Sequence, residues 1–268
     1  MEESLEVLVI EANSGNKKSL EKVILGIKDM VYNLSLKMLL YHSDADDATQ
    51  EILIKVVTHL STFKHESKFK TWVYRIATNY LLTHKGKKSK EFALPFNEYA
   101  EQIDTGQSDS VKYTQNEGEI SLLEKEVMLG CTQGLLLCLN EEDRMVYIMS
   151  VTLEFNSSEA SKILDITPEN FRKKLSRSKI KIQNFLSQKC GLVNENNPCR
   201  CKKKIDYLID KKDINPNKLN AAHLYHASLD FSKKIGALEK TVAIYGTAPT
   251  FPAPEKIFKE IKQALSLN

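Results

Sequence analysis

The segment 156–186 constrains the fold most, because two short helical patterns follow each other there with a tight turn between them. Asn156 and Glu159 have the spacing of a capping box, which starts a helix. Thr167 is placed to cap a second helix, and Pro168 occupies its first position, where the missing amide hydrogen costs nothing. The pattern predicts a helix-turn-helix.

The second helix of this motif separates apolar from cationic side chains. Apolar residues recur at helical spacing and are expected to face the core: Phe171, Leu175, Ile182 and Phe185. The other face carries cations, which a helix in the major groove needs to reach phosphates and base edges. A solvated basic helix is the plainer interpretation, but the preceding helix, the cap and the proline favour a DNA-reading helix.

Charge is sorted into blocks along the chain, although the net charge is only +3. Residues 64–90 hold eight Lys and Arg against one acid, whereas residues 91–129 hold nine Asp and Glu against two Lys. The basic block favours nucleic acid as a partner, and the acidic block predicts a mobile linker. No signal peptide or apolar run of ~20 residues is visible, so we expect a cytoplasmic protein without a membrane partner.

The first eighty residues predict a helical bundle. Apolar side chains recur at helical intervals over residues 4–40, with a break near residues 14–16. The helix expected over 44–60 begins with carboxylates, which favour the positive end of a helix dipole. Residues 63–80 then alternate aromatic rings with cations, a combination that suits single-stranded DNA because rings stack on bases and lysines hold phosphates. Trp72 as the hydrophobic centre of the bundle is an open alternative.

The order and spacing of four segments resemble those of an extracytoplasmic-function sigma factor of the bacterial sigma-70 family. The segments are residues 44–51, 63–69 and 71–79 and the helix-turn-helix at 156–179. The resemblance extends over about residues 8–188. It implies an all-α fold with two small helical domains, the second containing the helix-turn-helix, joined by an acidic linker. The residues that follow the resemblance are expected to form a mainly helical extension.

The resemblance also implies a role for each part of the chain. Residues 1–90 bind core RNA polymerase and recognise and melt the −10 promoter element, and residues 91–121 form a flexible acidic linker. Residues 122–188 read the −35 element. Most members of the family stop near residue 188, so residues 189–268 are an extension outside the resemblance, for which zinc binding and regulation are the candidate roles. The polymerase performs the chemistry, so we do not expect an enzyme, and the sequence has no Gly-rich phosphate loop or kinase signature.

Matching positions supply the contact residues that the resemblance implies. The polymerase contacts are Asp47, Gln50 and Glu51. The contacts around the melted −10 strand are Lys68, Lys70, Trp72, Arg75 and Asn79. The contacts to the −35 duplex are Asn170, Arg172, Lys173, Lys174 and Arg177. Lys174 and Ser178 stand where the family usually has arginine and often has alanine, and lysine cannot make arginine's forked contact, so the base preference there is open.

Three cysteines come together across a Gly/Asn/Pro loop: Cys190, Cys199 and Cys201. His223 and His226 follow on a predicted helix, and either could complete a structural Cys3His zinc site. Redox sensing by thiols and unliganded cysteines are the alternatives, because the spacing is not that of a standard zinc finger. Cys131 and Cys138, about two helical turns apart, are expected in the core.

A proline-rich spacer and a final amphipathic helix are expected over residues 248–265. This tail is predicted to regulate the chain from within, by folding back on it, or to dock a partner such as an anti-sigma protein.

Three functions compete for the whole chain: a sigma factor, a stand-alone helix-turn-helix regulator, and a metalloenzyme built on the Cys/His tail. The aromatic and cationic segment 63–80 beside an acidic helix face favours the sigma factor, because a stand-alone regulator needs no single-strand surface. The metalloenzyme is disfavoured, since three thiols and a histidine leave no open metal position.

Overall fold

A computed structural model describes residues 4–83, 93–219, 237–246, 249–265 and 267, without the side chains of 237–240. The regular elements in these ranges are helices, together with one isolated β-bridge, which confirms the predicted all-α fold. In the same ranges, no helix has both the length and the hydrophobicity that crossing a bilayer requires. The chain divides into two compact units. Unit 1 comprises residues 1–92, 156–171 and 250–268, and unit 2 comprises residues 93–155 and 172–249.

Unit 1 begins with four helices, α1 (Leu5–Asn13), α2 (Lys17–Leu39), α3 (His42–Thr58) and α4 (Phe69–Thr83). The predicted break near residue 15 is confirmed, because the Asn16 side chain caps α2 by accepting the backbone N–H groups of Lys18 at 3.1 Å and Ser19 at 3.2 Å. Helix α2 packs against α1, α3 and α4. Fully buried side chains form the core between these helices, among them Ile24, Ile27, Leu34, Ile52 and Phe69.

Two later helices complete unit 1. Helix α8 (Ser157–Leu164) packs against α4, and α12 (Glu255–Ala264) packs against α2 and α3. The predicted capping box at the start of α8 is confirmed, with the Asn156 side chain accepting the Glu159 N–H at 3.0 Å. Asp165 ends this helix with a φ of 54°, a left-handed conformation that aspartate tolerates better than most residues.

Unit 2 contains α5 (Phe96–Asp104), α6 (Glu117–Leu137), α7 (Glu141–Tyr147), α10 (Ile205–Asp210) and α11 (Ala237–Gly246). It also contains most of α9 (Pro168–Lys189), which begins in unit 1. The buried Arg144 guanidinium donates to the carbonyl oxygens of Leu136, in the last turn of α6, and Leu139, just beyond it, both at 2.9 Å. A cation therefore supplies hydrogen-bond donors to carbonyl groups at the carboxyl end of this helix. Helix α7 continues into a π-helical turn, Ile148–Thr152, against which α11 packs.

The structure differs from the expectation of a mobile linker over residues 91–121. The part described, from residue 93 onward, includes α5 and buries apolar side chains within unit 2. Val111 and Ile120 belong to a hydrophobic cluster with Ile205 of α10, and the backbone N–H of Lys112 donates to the Asp206 carboxylate at 2.8 Å. The acidic composition led to the linker prediction, but apolar residues between the acids anchor the segment.

Candidate functional site

The predicted polymerase-contact residues lie on the polar side of α3. Asp47 and Glu51 are exposed and stand one helical turn apart on the same face, and Gln50 is half-buried. Burial raises the pKa of the Tyr80 hydroxyl on α4, and the negative charges of Glu51 and Asp47 raise it further. Asp47, Gln50 and Glu51 are called the acidic patch below, and its two carboxylates lie close to α4.

Trp72 belongs to a cluster of three aromatic rings at the start of α4. Its ring centroid lies 5.7 Å from that of Phe69 and 5.6 Å from that of Phe63. Phe69 is fully buried and Phe63 is 5% exposed, whereas Trp72 is only half-buried. Trp72 therefore packs on the core with part of its ring and leaves the rest accessible, so the two interpretations of this residue are compatible.

The polar residues predicted to surround the melted −10 strand are all exposed: Lys68, Lys70, Arg75 and Asn79. Arg75 forms an ion pair, with its guanidinium 3.4 Å from the carboxylate of Asp165 at the end of α8. Exposed pairs of this kind contribute about 0–1 kcal/mol. A phosphate group could therefore replace Asp165 as the partner of Arg75 at little energetic cost.

The residues predicted to contact the −35 duplex lie in the first half of α9. Four of the five are exposed: Asn170, Arg172, Lys173 and Arg177. The Thr167 hydroxyl accepts the backbone N–H of Asn170 at 3.2 Å, as the predicted cap requires. Phe171 and Ile182 are fully buried, so the helix separates an apolar from a cationic face as its spacing predicts.

Lys174 and Ser178, the two departures from the family pattern, have structural partners in unit 2. The Lys174 ammonium lies 2.7 Å from the Glu142 carboxylate of α7. The fully buried Ser178 hydroxyl donates to the Lys174 carbonyl oxygen at 2.8 Å and lies 3.4 Å from that of Asp143. Lys174 is thus engaged by a residue 32 positions earlier, which spacing along α9 could not reveal.

Comparison with known proteins agrees with this geometry. Residues 25–91, which include α3 and α4, match the model of sigma-70 region 2. The chain is 25% identical over 183 residues to the ECF RNA polymerase sigma factor SigW of Bacillus subtilis, across 67% of this chain and 95% of SigW. It is 27% identical over 153 residues to SigM of the same organism, across 57% of this chain and 86% of SigM. A probable RNA polymerase sigma factor of Haemophilus influenzae is 26% identical over 152 residues, across 54% of this chain and 78% of the relative.

Residues 25–91 therefore form a sigma-70 region 2 domain, and the chain as a whole is similar to extracytoplasmic-function sigma factors.

Four of the five cysteines come together in unit 2. Cys190 and Cys199 face each other in the β-bridge, where the Gly191 N–H donates to the Cys199 carbonyl oxygen at 3.1 Å. A Cβ atom at Gly191 would lie 2.3 Å from that oxygen, so this approach requires glycine. Cys201 and Cys131, the latter from α6, line the same pocket as these two thiols. These four cysteines form the thiol pocket.

Sequence reasoning missed the place of Cys131, which was expected to be an ordinary core residue. It is half-buried, 59 positions before Cys190, and only the packing of α6 brings it to the thiol pocket. Cys138 is also half-buried and points its thiol to the Gly134 carbonyl oxygen at 3.8 Å. His223 and His226 lie outside the described residues.

The ionisation of the thiol pocket bears on its chemistry. Burial raises the pKa of the Cys131 thiol to about 12, and it also raises the thiol pKa of Cys190, Cys199 and Cys201. A redox-sensing cysteine needs a lowered thiol pKa, so this environment disfavours that alternative. Four thiols are a suitable donor set for zinc, but among the described residues no three potential ligands are arranged as a metal ion requires.

Proposed function

We propose that this sigma factor binds core RNA polymerase through the acidic patch and directs transcription initiation from promoters that it reads with α4 and α9. The observation that carries this proposal is the position of the patch: exposed carboxylates stand beside the cationic and aromatic surface of α4, within the segment that matches sigma-70 region 2. The chain supplies recognition and the polymerase supplies catalysis, so the protein is not an enzyme. Its partners are core RNA polymerase and promoter DNA, which meet in the cytoplasm.

The half-exposed Trp72 supports a role for α4 in holding melted DNA. A base that has left the duplex loses its stacking partners, and stacking on an aromatic ring returns about 1–3 kcal/mol. Phe69 and Phe63 hold the ring of Trp72 in place, so the Trp72 side chain loses less conformational entropy when a base stacks on it. Lys68 and Lys70 are close in sequence and exposed, and we assign them to the phosphates of the strand.

The exposed cations of α9 support recognition of the −35 duplex. Arg172 and Arg177 can make forked contacts with guanine or phosphate, and Asn170 can pair with adenine. Lys174 can bind only as a point charge and must first leave Glu142. We therefore assign base reading to Asn170 and the two arginines, and a supporting role to the lysines.

A stand-alone helix-turn-helix regulator is the second candidate function. It would use α9 in the same way, but it would leave the acidic patch and the Trp72 cluster without a role. The relatives that match this chain are named as sigma factors over alignments that include regions outside the helix-turn-helix. These observations favour the first proposal.

The deciding experiment is retention of purified core RNA polymerase by the full chain and by the triple variant Asp47→Ala, Gln50→Ala, Glu51→Ala. We expect the triple variant to lose at least about tenfold in affinity, which corresponds to about 1.4 kcal/mol. A matched triple variant, Thr58→Ala, Ser61→Ala, Glu66→Ala, changes three exposed residues elsewhere in unit 1 and should bind as the wild type does. Equal binding by both triple variants would remove the acidic patch from the interface.

Two further proposals concern the extension after residue 188. We propose that the thiol pocket takes up zinc as a structural ion, with Cys131 joining Cys190, Cys199 and Cys201. The donor set supports this, and the thiol-bearing segments must close around the ion, because the described residues hold no ready metal cluster. We also propose that the extension itself regulates the sigma factor, in place of a separate anti-sigma protein, because its last helix packs against α2 and α3.

A further inference from the structure

The end of the chain lies on unit 1 in the manner of a bound peptide. Residues 250–254 have no regular secondary structure, and α12 follows and packs against α2 and α3. Phe251, Ala253, Ile257 and Ile261 are at most 7% exposed, so the segment buries one apolar side. Residues 250–264 are called the docked segment below.

Hydrogen bonds fix the part of the docked segment that precedes α12 to α2. The Asn33 side chain donates to the Phe251 carbonyl oxygen and accepts the Phe251 N–H, each at 2.8 Å. The Asp29 carboxylate accepts the Ala253 N–H at 2.8 Å. The Phe251 ring meets the His42 imidazole edge-on, with the centroids 6.0 Å apart. These contacts recognise backbone groups and one ring, so they define the position of the segment.

Ion pairs fix the helical part of the docked segment. The Lys256 ammonium lies 2.5 Å from the Asp46 carboxylate of α3, and the Lys262 ammonium lies 2.8 Å from the Glu21 carboxylate of α2. The Lys256 side chain is 60% exposed, and pairs in contact with solvent contribute only about 0–1 kcal/mol. The ion pairs therefore set the position of α12 and add only modestly to the free energy of docking.

The docked segment borders the acidic patch. Asp46, which Lys256 binds, is the neighbour of Asp47 and stands one helical turn before Gln50 on the same face of α3. The Lys256 ammonium donates a hydrogen bond to the Asp46 carboxylate, which raises the pKa of Lys256, and the negative charge of Asp47 adds a smaller effect in the same direction. A large partner that reaches Asp47 and Gln50 would meet α12 and its lysine at the edge of the patch.

We propose that the docked segment competes with core RNA polymerase for the α2–α3 surface, so that the sigma factor inhibits itself until the segment is released. This inference rests on the proposed function, because it assigns the acidic patch to the polymerase. Lys256 neutralises charge beside the patch, and α12 occupies space beside it. Release of residues 250–264 removes both obstacles.

The test compares core polymerase affinity among full-length variants. The release variant is Ile257→Asp, Ile261→Asp, which places two carboxylates on the buried side of α12. The matched control is Gln263→Asp, Ala264→Asp, which adds the same charges to exposed positions of the same helix. A second release variant, Lys256→Ala, Lys262→Ala, removes the ion pairs without burying charge, in case the first does not fold.

We expect both release variants to bind polymerase about tenfold more tightly than the wild type, the ratio for a segment that is docked in about nine of ten molecules. The control should bind as the wild type does. A synthetic peptide of residues 250–265 should weaken polymerase binding by the release variant, and the same peptide with both Asp substitutions should not. Equal affinity of wild type and release variants would overturn the competition.

A peptide-binding measurement separates the absence of competition from the absence of polymerase binding. A fluorescent peptide of residues 250–265 reports docking on the release variant by anisotropy, without polymerase. If the peptide docks and no variant retains polymerase, the sigma function fails and the competition fails with it. If all variants retain polymerase equally and the peptide does not displace it, the sigma function stands and the competition alone is overturned.

Discussion

Asn33 and Phe251 hold each other through two hydrogen bonds of 2.8 Å, although 218 positions separate them in the sequence. The Asn33 side chain presents one acceptor and one donor to the backbone of Phe251, as a neighbouring strand would. Both residues are at most 7% exposed, so the four polar groups are withdrawn from water and satisfied together. This single side chain anchors the part of the docked segment that precedes α12.

Replacement of Asn33 by alanine should therefore free the docked segment. The buried N–H and carbonyl groups of Phe251 lose their partners, and the expected cost is about 1–3 kcal/mol of folding free energy. Hydrogen exchange should accelerate in residues 250–264 more than in α2 itself. Asn79→Ala makes the same replacement at an exposed position of unit 1 and is the control. Unchanged exchange in the segment would contradict the anchoring role.

We expect replacement of Phe69 to affect mainly stability and replacement of Trp72 to affect mainly promoter melting. Phe69 is fully buried, so Phe69→Ala should lower the free energy of unfolding by about 3–5 kcal/mol. Trp72 is half-buried, so Trp72→Ala should cost roughly half as much but should abolish promoter melting. Trp72→Phe keeps a stacking ring and should retain part of the melting. Permanganate reactivity of unpaired thymines measures melting, and a wild-type pattern with Trp72→Ala would exclude stacking on this ring.

Arg172 and Lys173 should set the salt dependence of −35 binding. The double variant Arg172→Ala, Lys173→Ala loses two cations, so the slope of log K against log salt concentration should fall by about 2. Fluorescence anisotropy with a −35 duplex over a salt series measures this slope. Gln188→Ala, an exposed position near the end of the same helix, should leave the slope unchanged. If the double variant keeps the wild-type slope, these two residues do not contact phosphates.

The residues that line the thiol pocket predict which cysteine substitutions lower the zinc content of the protein. Cys131→Ser and Cys199→Ser should each lower the zinc content of protein purified under reducing conditions, because both line the pocket. Cys138→Ser is the matched control, since Cys138 lies on the same helix as Cys131 and points to Gly134 instead. Elemental analysis of the three variants checks the prediction. Zinc-free wild-type protein, prepared without chelators, would end the zinc proposal.

We expect the buried Lys37 ammonium to make the free energy of unfolding increase as the pH rises. Burial lowers the pKa of its ammonium from 10.5 to about 8, so the unfolded chain binds more protons than the folded chain between these values. Stability therefore increases as the pH rises through that window, and below it the folded protein carries the cost of a buried charge.

Lys37→Met removes this cost, so it should stabilise the protein at pH 7 by on the order of 2–3 kcal/mol. The gain should be small at pH 10, and urea unfolding at both pH values measures it. Lys55→Met, at an exposed position on α3, should show no such dependence. An equal gain from Lys37→Met at both pH values would show that packing rather than charge is responsible.

Local structure was readable from the sequence, because the interactions that create it lie within a few residues. The Asn156–Glu159 capping box, the Thr167 cap and the Asn16 cap depend on side chains two or three positions from the amides that they bind. The burial of Phe171 and Ile182 follows from the helical period alone. The family also followed from the sequence, since its motifs are short, continuous segments.

Contacts between distant segments were decided only by the tertiary structure. Asn33 meets Phe251, Lys174 meets Glu142 and Cys131 reaches the thiol pocket because helices far apart in sequence pack together, and no local pattern encodes such a partner. The acidic segment 91–121 shows the same limit, since charge density predicted mobility while a few apolar residues such as Val111 anchor it. Side-chain chemistry along the chain identified the binding surfaces, and packing decided which of them the protein's own tail borders.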